Sequence, residues 1–190
     1  MADYPAYLAR EHRLADGRLV TIRPIRRDDD ARERDFLTHL SEETWYRRFH
    51  KFVAAPSDKL VHFLTDIDYD QHMALVCIAR HDGSEEVVGE ARYVVIPHSQ
   101  SCDFGIMIAD DWHRSGIAGL LMEALIRIAR ERGLERMEGL VLSSNRTMLR
   151  FARALGFEVR PLTDDPTTRL IVKKLERAVT GGRRSDPGPR

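Results

Sequence analysis

The sequence predicts an α/β (α+β) domain, and three observations carry that prediction. Three apolar or alternating segments lie close together and are joined by short turns, at residues 73–79, 86–96 and 102–109. Consecutive strands with such connections form an antiparallel meander. A turn rich in small residues follows the third segment and leads directly into an amphipathic helix. Strand and helix patterns then alternate towards the C-terminus, so we expect a sheet with helices packed against it.

The N-terminal part of the chain predicts a hairpin followed by three helices. Asp16-Gly17 is a favoured hairpin turn within the segment 13–23, and Pro24 ends the pairing of the second strand. Acidic residues, Ser and Pro then mark three helix N-termini, because these residues suit the first helical turn. The predicted helices cover residues 28–39, 41–49 and 56–64.

The C-terminal part begins with the clearest helix of the chain. Six apolar residues recur at helical spacing and predict a core-facing helix that stops near Gly133: Ile117, Leu120, Leu121, Ala124, Leu125 and Ile128. The pattern continues with a helix over 145–155, which Gly156 ends, and with strands over 138–143, 157–162 and 169–174. We expect one domain over residues 1–176 and a disordered tail over 177–190, rich in Gly, Pro and Arg.

Composition excludes several classes of function. The 190 residues suit one domain, and 30 basic residues balance 30 acidic ones. No overall field would therefore attract nucleic acid or an anionic membrane, and we expect neither as a partner. No apolar run approaches membrane-spanning length, and the N-terminus lacks the plan of a signal peptide. Two cysteines, Cys77 and Cys102, make no disulfide framework, so we expect buried free thiols and a cytoplasmic protein.

The turn at 113–119 is the most informative part of the chain. Small residues at 115, 116, 118 and 119 leave backbone N–H groups bare where the helix begins. Together with the positive end of the helix dipole, these groups form a binding site for a phosphate or pyrophosphate, which suggests a nucleotide-like cofactor. An ordinary glycine-containing helix start is the alternative. Arg114 is a candidate for a charge-assisted contact to phosphate or for a solvated side chain.

Two blocks of sequence resemble the GNAT acetyltransferase family. The family signature Gln/Arg-x-x-Gly-x-Gly/Ala opens its central helix, and here the matching residues are His113-Arg114-Ser115-Gly116-Ile117-Ala118. His113 departs from the family preference, while both small-residue positions match. The second block is the segment 145–157, which begins with Asn145 and ends in Leu-Gly-Phe. The resemblance implies the GNAT fold, a mixed and mostly antiparallel central sheet flanked by helices.

A narrower resemblance extends over about residues 14–160. Four segments are similar to the GNAT domain of bacterial protein-lysine acetyltransferases: 21–26, 40–46, 68–70 and 88–93. In those enzymes the domain is often fused to regulatory or acyl-CoA-synthetase-like modules, of which the sequence shows none. The resemblance implies transfer of an acetyl group from acetyl-CoA to a primary amine, by direct attack in a ternary complex.

The resemblance also implies which residues bind acetyl-CoA. The pyrophosphate would sit on the amides of the turn, from His113 through Arg114, Ser115, Gly116, Ile117 and Ala118 to Gly119. The pantetheine arm and thioester would lie along the preceding strand, at Ile106, Met107 and Ile108. In the family this strand splays from its neighbour and leaves N–H groups that polarise the thioester carbonyl. Asn145 and Phe151 of the second block complete the expected cofactor site.

Two carboxylates are candidates for the base that takes a proton from the amine. Asp103 is the single ionisable residue in 102–109, and it matches a glutamate used as general base in the protein-acetylating relatives. An exposed acid at the start of a strand is the alternative. Glu90 is the second candidate, although it could equally pair with Arg92. Many GNAT enzymes carry a tyrosine general acid at the position of Ala152, so the thiolate would leave unassisted or be protonated by water.

The acceptor site is less specified by the sequence. Trp45, Tyr46 and Phe49 could line an acceptor cleft, and core packing is equally compatible. The acids in 66–70 lack the Gly and Glu of a calcium loop, and the histidines lack metal-ligand spacing, so we expect no metal. We expect a protein lysine or a small-molecule amine as acceptor. A catalytically silent acyl-CoA-binding module is the competing hypothesis, and the pattern permits a homodimer.

Overall fold

Eight strands form one continuous sheet in the computed structural model, which describes residues 3–49, 55–81 and 83–176. The strands are β1 Arg10–Arg13, β2 Leu19–Pro24, β3 His72–His81, β4 Ser84–Val95, β5 Ser101–Ile108, β6 Arg136–Leu142, β7 Glu158–Pro161 and β8 Thr168–Lys174. Their order across the sheet is β1-β2-β3-β4-β5-β6-β8-β7. The predicted hairpin and meander are therefore confirmed as the first five strands.

One strand pair gives the sheet its mixed character. β5 and β6 run parallel, whereas every other neighbouring pair is antiparallel. A parallel pair needs a crossover, and the long helix between these two strands supplies it. The mixed, mostly antiparallel sheet flanked by helices that the sequence predicts is confirmed.

Five α-helices occur in the described residues: α1 Asp30–His39, α2 Glu42–Phe49, α3 Asp58–Thr65, α4 Ile117–Glu131 and α5 Arg146–Ala154. Their N-termini follow the signals in the sequence. Ser57 caps α3 by accepting a hydrogen bond from the Leu60 amide at 3.2 Å, and Asn145 caps α5 by accepting one from the Met148 amide at 3.0 Å. Gly116 precedes α4 with a φ of 92°, a conformation that glycine adopts without strain.

The hydrophobic core consists of two clusters, which contain different helices. The larger one contains Leu121, Leu125 and Ile128 of α4 together with Leu149 of α5. The smaller one joins residues of α1, α2 and α3 to the sheet through Met107 and its neighbours. Side chains alternate along β5, so Phe104 enters the larger cluster and Met107 enters the smaller one. β5 therefore lies between the two halves of the core.

β5 and β6 separate part of the way along their length, and this separation positions the site. They pair at three residues of each strand, ending with Asp103 opposite Glu138. Beyond that pair, β5 continues through Ile108 beside β4, while β6 continues beside β8. A wedge-shaped gap results between the two strands, directly ahead of the turn at 113–119.

Three further predictions concern the C-terminal tail, membrane-spanning helices and the cysteines. The tail over 177–190 lies outside the described residues. No helix in the described parts of the chain is both long and apolar enough to cross a bilayer. Cys77 and Cys102 are both buried free thiols, as expected.

Candidate active site

A cavity of about 680 Å³ occupies the gap between β5 and β6. It extends from the backbone of β5 to the turn before α4, and α2 and α5 close its sides. Its lining includes residues of α2, β5, the turn before α4, β6 and the start of α5: Thr44, Arg47, Arg48, Phe104, Gly105, Ile106, Met107, Ile108, His113, Arg114, Ser115, Gly116, Ala118, Gly119, Gly139, Leu140, Asn145 and Phe151. A cavity of this size accommodates a ligand of cofactor size.

The turn presents unpaired backbone N–H groups to this cavity. The amides of Arg114, Gly116 and Ala118 have no hydrogen-bond partner within the described chain, whereas Gly119 N–H donates to the Gly116 carbonyl at 3.1 Å. Arg114 and Gly116 both have positive φ, at 64° and 92°, which turns successive amides outwards. These amides lie at the N-terminus of the 15-residue helix α4. The arrangement fits a phosphate or pyrophosphate.

Gly119 borders open space beside the turn. A Cβ at this position would have no protein atom within 4 Å, although the residue lines the cavity. Packing of the helix therefore does not require glycine here. A ligand that approaches the helix backbone closely would require it.

The β5 backbone offers a second set of amides. Two bonds at the ends of the β4–β5 ladder fix its alternation: Ile96 N–H to the Ser101 carbonyl at 2.8 Å, and Ala109 N–H to the Val88 carbonyl at 3.0 Å. In an antiparallel ladder, the intervening residues alternate between facing the partner and facing away. The Phe104 amide accordingly serves the last rung with Glu138, and the amides of Ile106 and Ile108 face the gap, where β6 has turned away.

The structure brings together most of the predicted cofactor residues. Eleven of the twelve line one cavity: Ile106, Met107, Ile108, His113, Arg114, Ser115, Gly116, Ala118, Gly119, Asn145 and Phe151. The twelfth, Ile117, does not line it, because its side chain is fully buried in the larger core cluster. Its apolar side chain follows the core-facing stripe of α4, so the structure offers at most its backbone to a ligand.

Asp103 lies at the point where the two strands separate. Its side chain is exposed, and its strand neighbours Phe104 and Gly105 line the cavity although Asp103 itself does not. Loss of solvation raises the pKa of Asp103, the nearby Arg48 charge lowers it, and the opposing Glu138 charge raises it, with a net increase. A raised pKa makes this carboxylate a better proton acceptor than an ordinary surface aspartate.

Glu90 occupies a different place from Asp103. Arg92 Nε and Nη2 donate to its two oxygens, each at 2.5 Å, and both side chains are buried. Glu90 is opposite Met107 in the ladder and does not line the cavity. Burial opposes its ionisation, but the Arg92 charge and hydrogen bonds lower the pKa of Glu90. The pairing with Arg92 that the sequence left open is present, so we keep Asp103 alone in the proposed mechanism.

The predicted acceptor aromatics pack in or beside the core. Trp45 is buried, its Nε1 donates to the Leu37 carbonyl at 2.9 Å, and Phe49 contacts its ring. Tyr46 is partly exposed, and none of the three lines the cavity. The helix nevertheless contributes to the cavity through the opposite face, with Thr44, Arg47 and Arg48. The sequence therefore pointed to the helix that lines the cavity, α2, but to side chains on its other face.

The acids at 66–70 have structural partners. Asp66 accepts hydrogen bonds from Arg27 at 2.9 and 2.5 Å, and Asp68 accepts from the amides of Asp70 and His72, each at 2.9 Å. These bonds hold the turn that leads into β3. The geometry therefore supports a structural role for these acids in the turn.

Arg48 and Glu138 are site residues that the sequence reasoning missed. Arg48 packs over the backbone of β5 at Gly105, and a Cβ there would overlap its guanidinium group. Glu138 pairs with Asp103 across the last rung before the gap. A glycine inside a strand commonly marks the close approach of another group, so Gly105 and Gly139 were the available signals. Neither signal identifies which side chain approaches.

A protein-family model matches this chain over most of its folded part. The model is that of the acetyltransferase (GNAT) family, and it covers residues 34–157. The matched region includes the meander, the turn at 113–119 and the helix that begins after Asn145.

Individual relatives agree with that match. Acetyltransferase PA5475 of Pseudomonas aeruginosa is 39% identical over 154 residues, covering 81% of this chain and 83% of that protein. Acetyltransferase Pat of Mycolicibacterium smegmatis is 30% identical over 141 residues, which are 74% of this chain and 41% of Pat. This chain therefore corresponds to less than half of Pat. The crystal structure of the GNAT domain of S. lividans PAT superimposes with a TM-score of 0.82 at 26% identity, covering 91% of this chain and 100% of that domain.

Proposed function

The chain belongs to the GNAT acetyltransferase family, and from that premise we propose that it transfers the acetyl group of acetyl-CoA directly to a primary amine in a ternary complex. The acceptor in this proposal is a lysine side chain of a protein. The observation that carries the proposal is the divergence of β5 and β6 beside the turn at 113–119. Unpaired amides of β5 and unpaired amides of the turn therefore line one cavity.

The two sets of amides suit two parts of acetyl-CoA, the pyrophosphate and the pantetheine arm with its thioester. The turn, with the N-terminus of α4 behind it, would bind the pyrophosphate, and Arg114 can add a charge-assisted contact. The gap-facing amides of Ile106 and Ile108 would bind the pantetheine arm and the thioester carbonyl. An amide that donates to the carbonyl oxygen stabilises the negative charge of a tetrahedral intermediate, where removal of one such donor costs about 10²–10³-fold in rate.

Asp103 is the proposed general base. A lysine amine has a reference pKa of about 10.4 and is protonated at neutral pH, so it must lose a proton before or during attack. The amine nitrogen bonds to the thioester carbon, its proton passes to the Asp103 carboxylate directly or through water, and the C–S bond breaks. The thiolate then takes a proton from water, since Ala152 provides no acid at the usual position.

The protein-lysine acceptor is supported by the likeness to Pat and to the GNAT domain of S. lividans PAT. The competing acceptor is a small-molecule amine, and the competing function is a silent acyl-CoA-binding module. Because this chain spans 41% of Pat, regulation by further domains is not carried over.

Acceptor-dependent release of CoA tests the proposal. The full chain is incubated with acetyl-CoA and lysine-bearing protein extracts, lysine peptides, polyamines or amino acids, and free thiol is measured. Calorimetry with acetyl-CoA alone measures binding in parallel. We expect binding together with release that depends on a lysine-bearing acceptor. Binding without release for any acceptor would establish the silent module instead, and release with small amines alone would reassign the acceptor.

A further inference from the structure

Arg48 is a half-buried cation without an ion pair among the described residues. Its Nε is inaccessible to solvent and has no hydrogen-bond acceptor, and the described chain provides no salt bridge to its guanidinium group. One side of the group rests on the bare backbone at Gly105, and its Cζ lies 5.1 Å from the centre of the Phe49 ring. Burial lowers the pKa of Arg48, but a guanidinium group stays charged at neutral pH. A cation that has lost part of its hydration and has no ion pair is stabilised when an anion joins it.

The neighbouring ionisable groups do not supply that anion. Glu90 is held by Arg92 through two hydrogen bonds, and the same arginine donates to His72 Nε2 at 2.9 Å. Burial lowers the pKa of His72 to about 4, so this histidine is neutral. Burial and the Glu90 charge raise the pKa of Glu33 well above its usual range, which opposes its ionisation. Both Glu90 oxygens are thus bound to Arg92, which leaves Arg48 without an ion pair to these groups.

The unpaired guanidinium group of Arg48 lines the cavity. Arg48 lines the cavity together with Gly105, Phe104 and Ile106, the part of β5 along which the thioester lies in the proposed complex. Asp103 interacts with Arg48 through its charge, but its side chain is exposed and forms no salt bridge with Arg48 in the described residues. As the proposed base, Asp103 also becomes neutral during the reaction, when Arg48 would lose that compensation.

We propose that Arg48 binds a carboxylate group carried by one of the two substrates, close to the reacting carbon. This inference rests on the proposed function for where the substrates lie. The planar guanidinium group presents a fork of donors that matches the two oxygens of a carboxylate. The carboxylate belongs either to the acceptor, as in an amino acid or a lysine beside an acidic residue, or to the acyl chain of a dicarboxylic acyl-CoA. The substrate class is therefore an anionic one on either side of the transfer.

Two matched pairs of ligands distinguish the sources. In the first arm, calorimetry measures binding of a lysine peptide with a flanking glutamate, and of the same peptide with glutamine, to protein saturated with CoA. In the second arm, succinyl-CoA is compared with butyryl-CoA, which has the same chain length without the carboxylate. Both arms measure equilibrium binding, so a protein that transfers nothing still gives an answer.

We expect the carboxylate member of one pair to bind about tenfold to a hundredfold more tightly, and this preference to disappear in Arg48→Gln. Gly105→Ala should also reduce the preference, because its Cβ displaces the guanidinium group while the charge remains in the chain. Arg160→Gln is the control, since this arginine is exposed, pairs with Glu158 and lies outside the cavity. Thermal unfolding of each variant checks that it folds.

The result that overturns the proposal is the absence of a preference that depends on Arg48 in both arms. The proposal is overturned if the unaltered chain binds both members of each pair equally. It is also overturned if Arg48→Gln retains the preference. Arg48 would then act as a distant counter-charge to Asp103. A failure of acetyl transfer would instead appear as missing CoA release in the unaltered chain, so the two proposals fail separately.

Discussion

Substitution of Gly119 should increase the stability of the protein and weaken its affinity for acetyl-CoA. Gly119 lies in the first turn of α4 with a negative φ, and a Cβ there has no protein atom within 4 Å. Alanine is more favourable than glycine in a helix by about 0.5–1 kcal/mol, and no clash opposes that gain. For a domain of this size, the melting temperature should rise by about 1–4 °C in Gly119→Ala.

The same Cβ occupies the space that the account assigns to the pyrophosphate. Hydrogen bonds from amides to a charged oxygen contribute about 1.5–3 kcal/mol each, so loss of one corresponds to roughly tenfold to a hundredfold in affinity. Gly119→Leu should extend further into the cavity and abolish measurable binding. Glu123→Ala is a matched control, because Glu123 is exposed on the same helix and outside the cavity lining.

Differential scanning calorimetry and titration with acetyl-CoA measure the two effects on the same samples. The expected pattern is a higher melting temperature with weaker binding in Gly119→Ala, and unaltered binding in Glu123→Ala. If Gly119→Leu binds acetyl-CoA as tightly as the unaltered chain does, the pyrophosphate does not lie at this turn and the assignment of the cavity is refuted.

Two further predictions concern buried ionisable groups. The pKa of Glu33 is higher in the folded chain than in the unfolded one, so folding takes up a proton, and the stability from this group is present below about pH 4 and is lost as the pH rises. Glu33→Gln should therefore unfold at higher urea concentration than the unaltered chain at pH 8 and at a similar one at pH 4; a variant less stable at pH 8 would show that Glu33 is ionised in the fold. Burial raises the pKa of Cys77 and of Cys102 to about 12, so both thiols should resist alkylation at pH 8 until urea unfolds the chain, and rapid labelling of the native protein would contradict their burial.

Much of the fold could be predicted because local patterns determine it. The helical spacing of apolar residues predicts α4, and caps at Ser57 and Asn145 mark where α3 and α5 begin. Short turns predict the antiparallel meander. These signals act over a few residues, so a single sequence contains them in readable form.

The separation of β5 from β6 could not be predicted in the same way. It depends on where pairing stops between two strands that the whole of α4 separates in sequence. The sequence indicated the turn at 113–119, since bare amides follow from small residues at a helix start. It did not show that Ile106 and Ile108 would present amides to the same cavity.

Arg48 illustrates a second limit. It lies on α2, far in sequence from the β5 glycine that it covers, and the aromatic residues beside it drew attention to the other face of the helix. Gly105 indicates that some group approaches the strand, but its identity depends on how α2 packs. The pairing of Glu90 with Arg92, in contrast, is a contact between neighbours on one strand and could be anticipated.

The most direct test of the account is the turnover of Asp103→Asn with acetyl-CoA and a lysine-bearing acceptor, measured beside acetyl-CoA affinity. Loss of a general base lowers the rate by about 10²–10⁴-fold, whereas the cofactor contacts are unaltered. Asp103→Glu should retain activity. In Glu138→Gln, the pH at which activity rises should move to a lower value, because the Glu138 charge raises the pKa of Asp103. The account predicts a large fall in turnover with unaltered acetyl-CoA binding in Asp103→Asn. Turnover equal to that of the unaltered chain would remove Asp103 from the reaction.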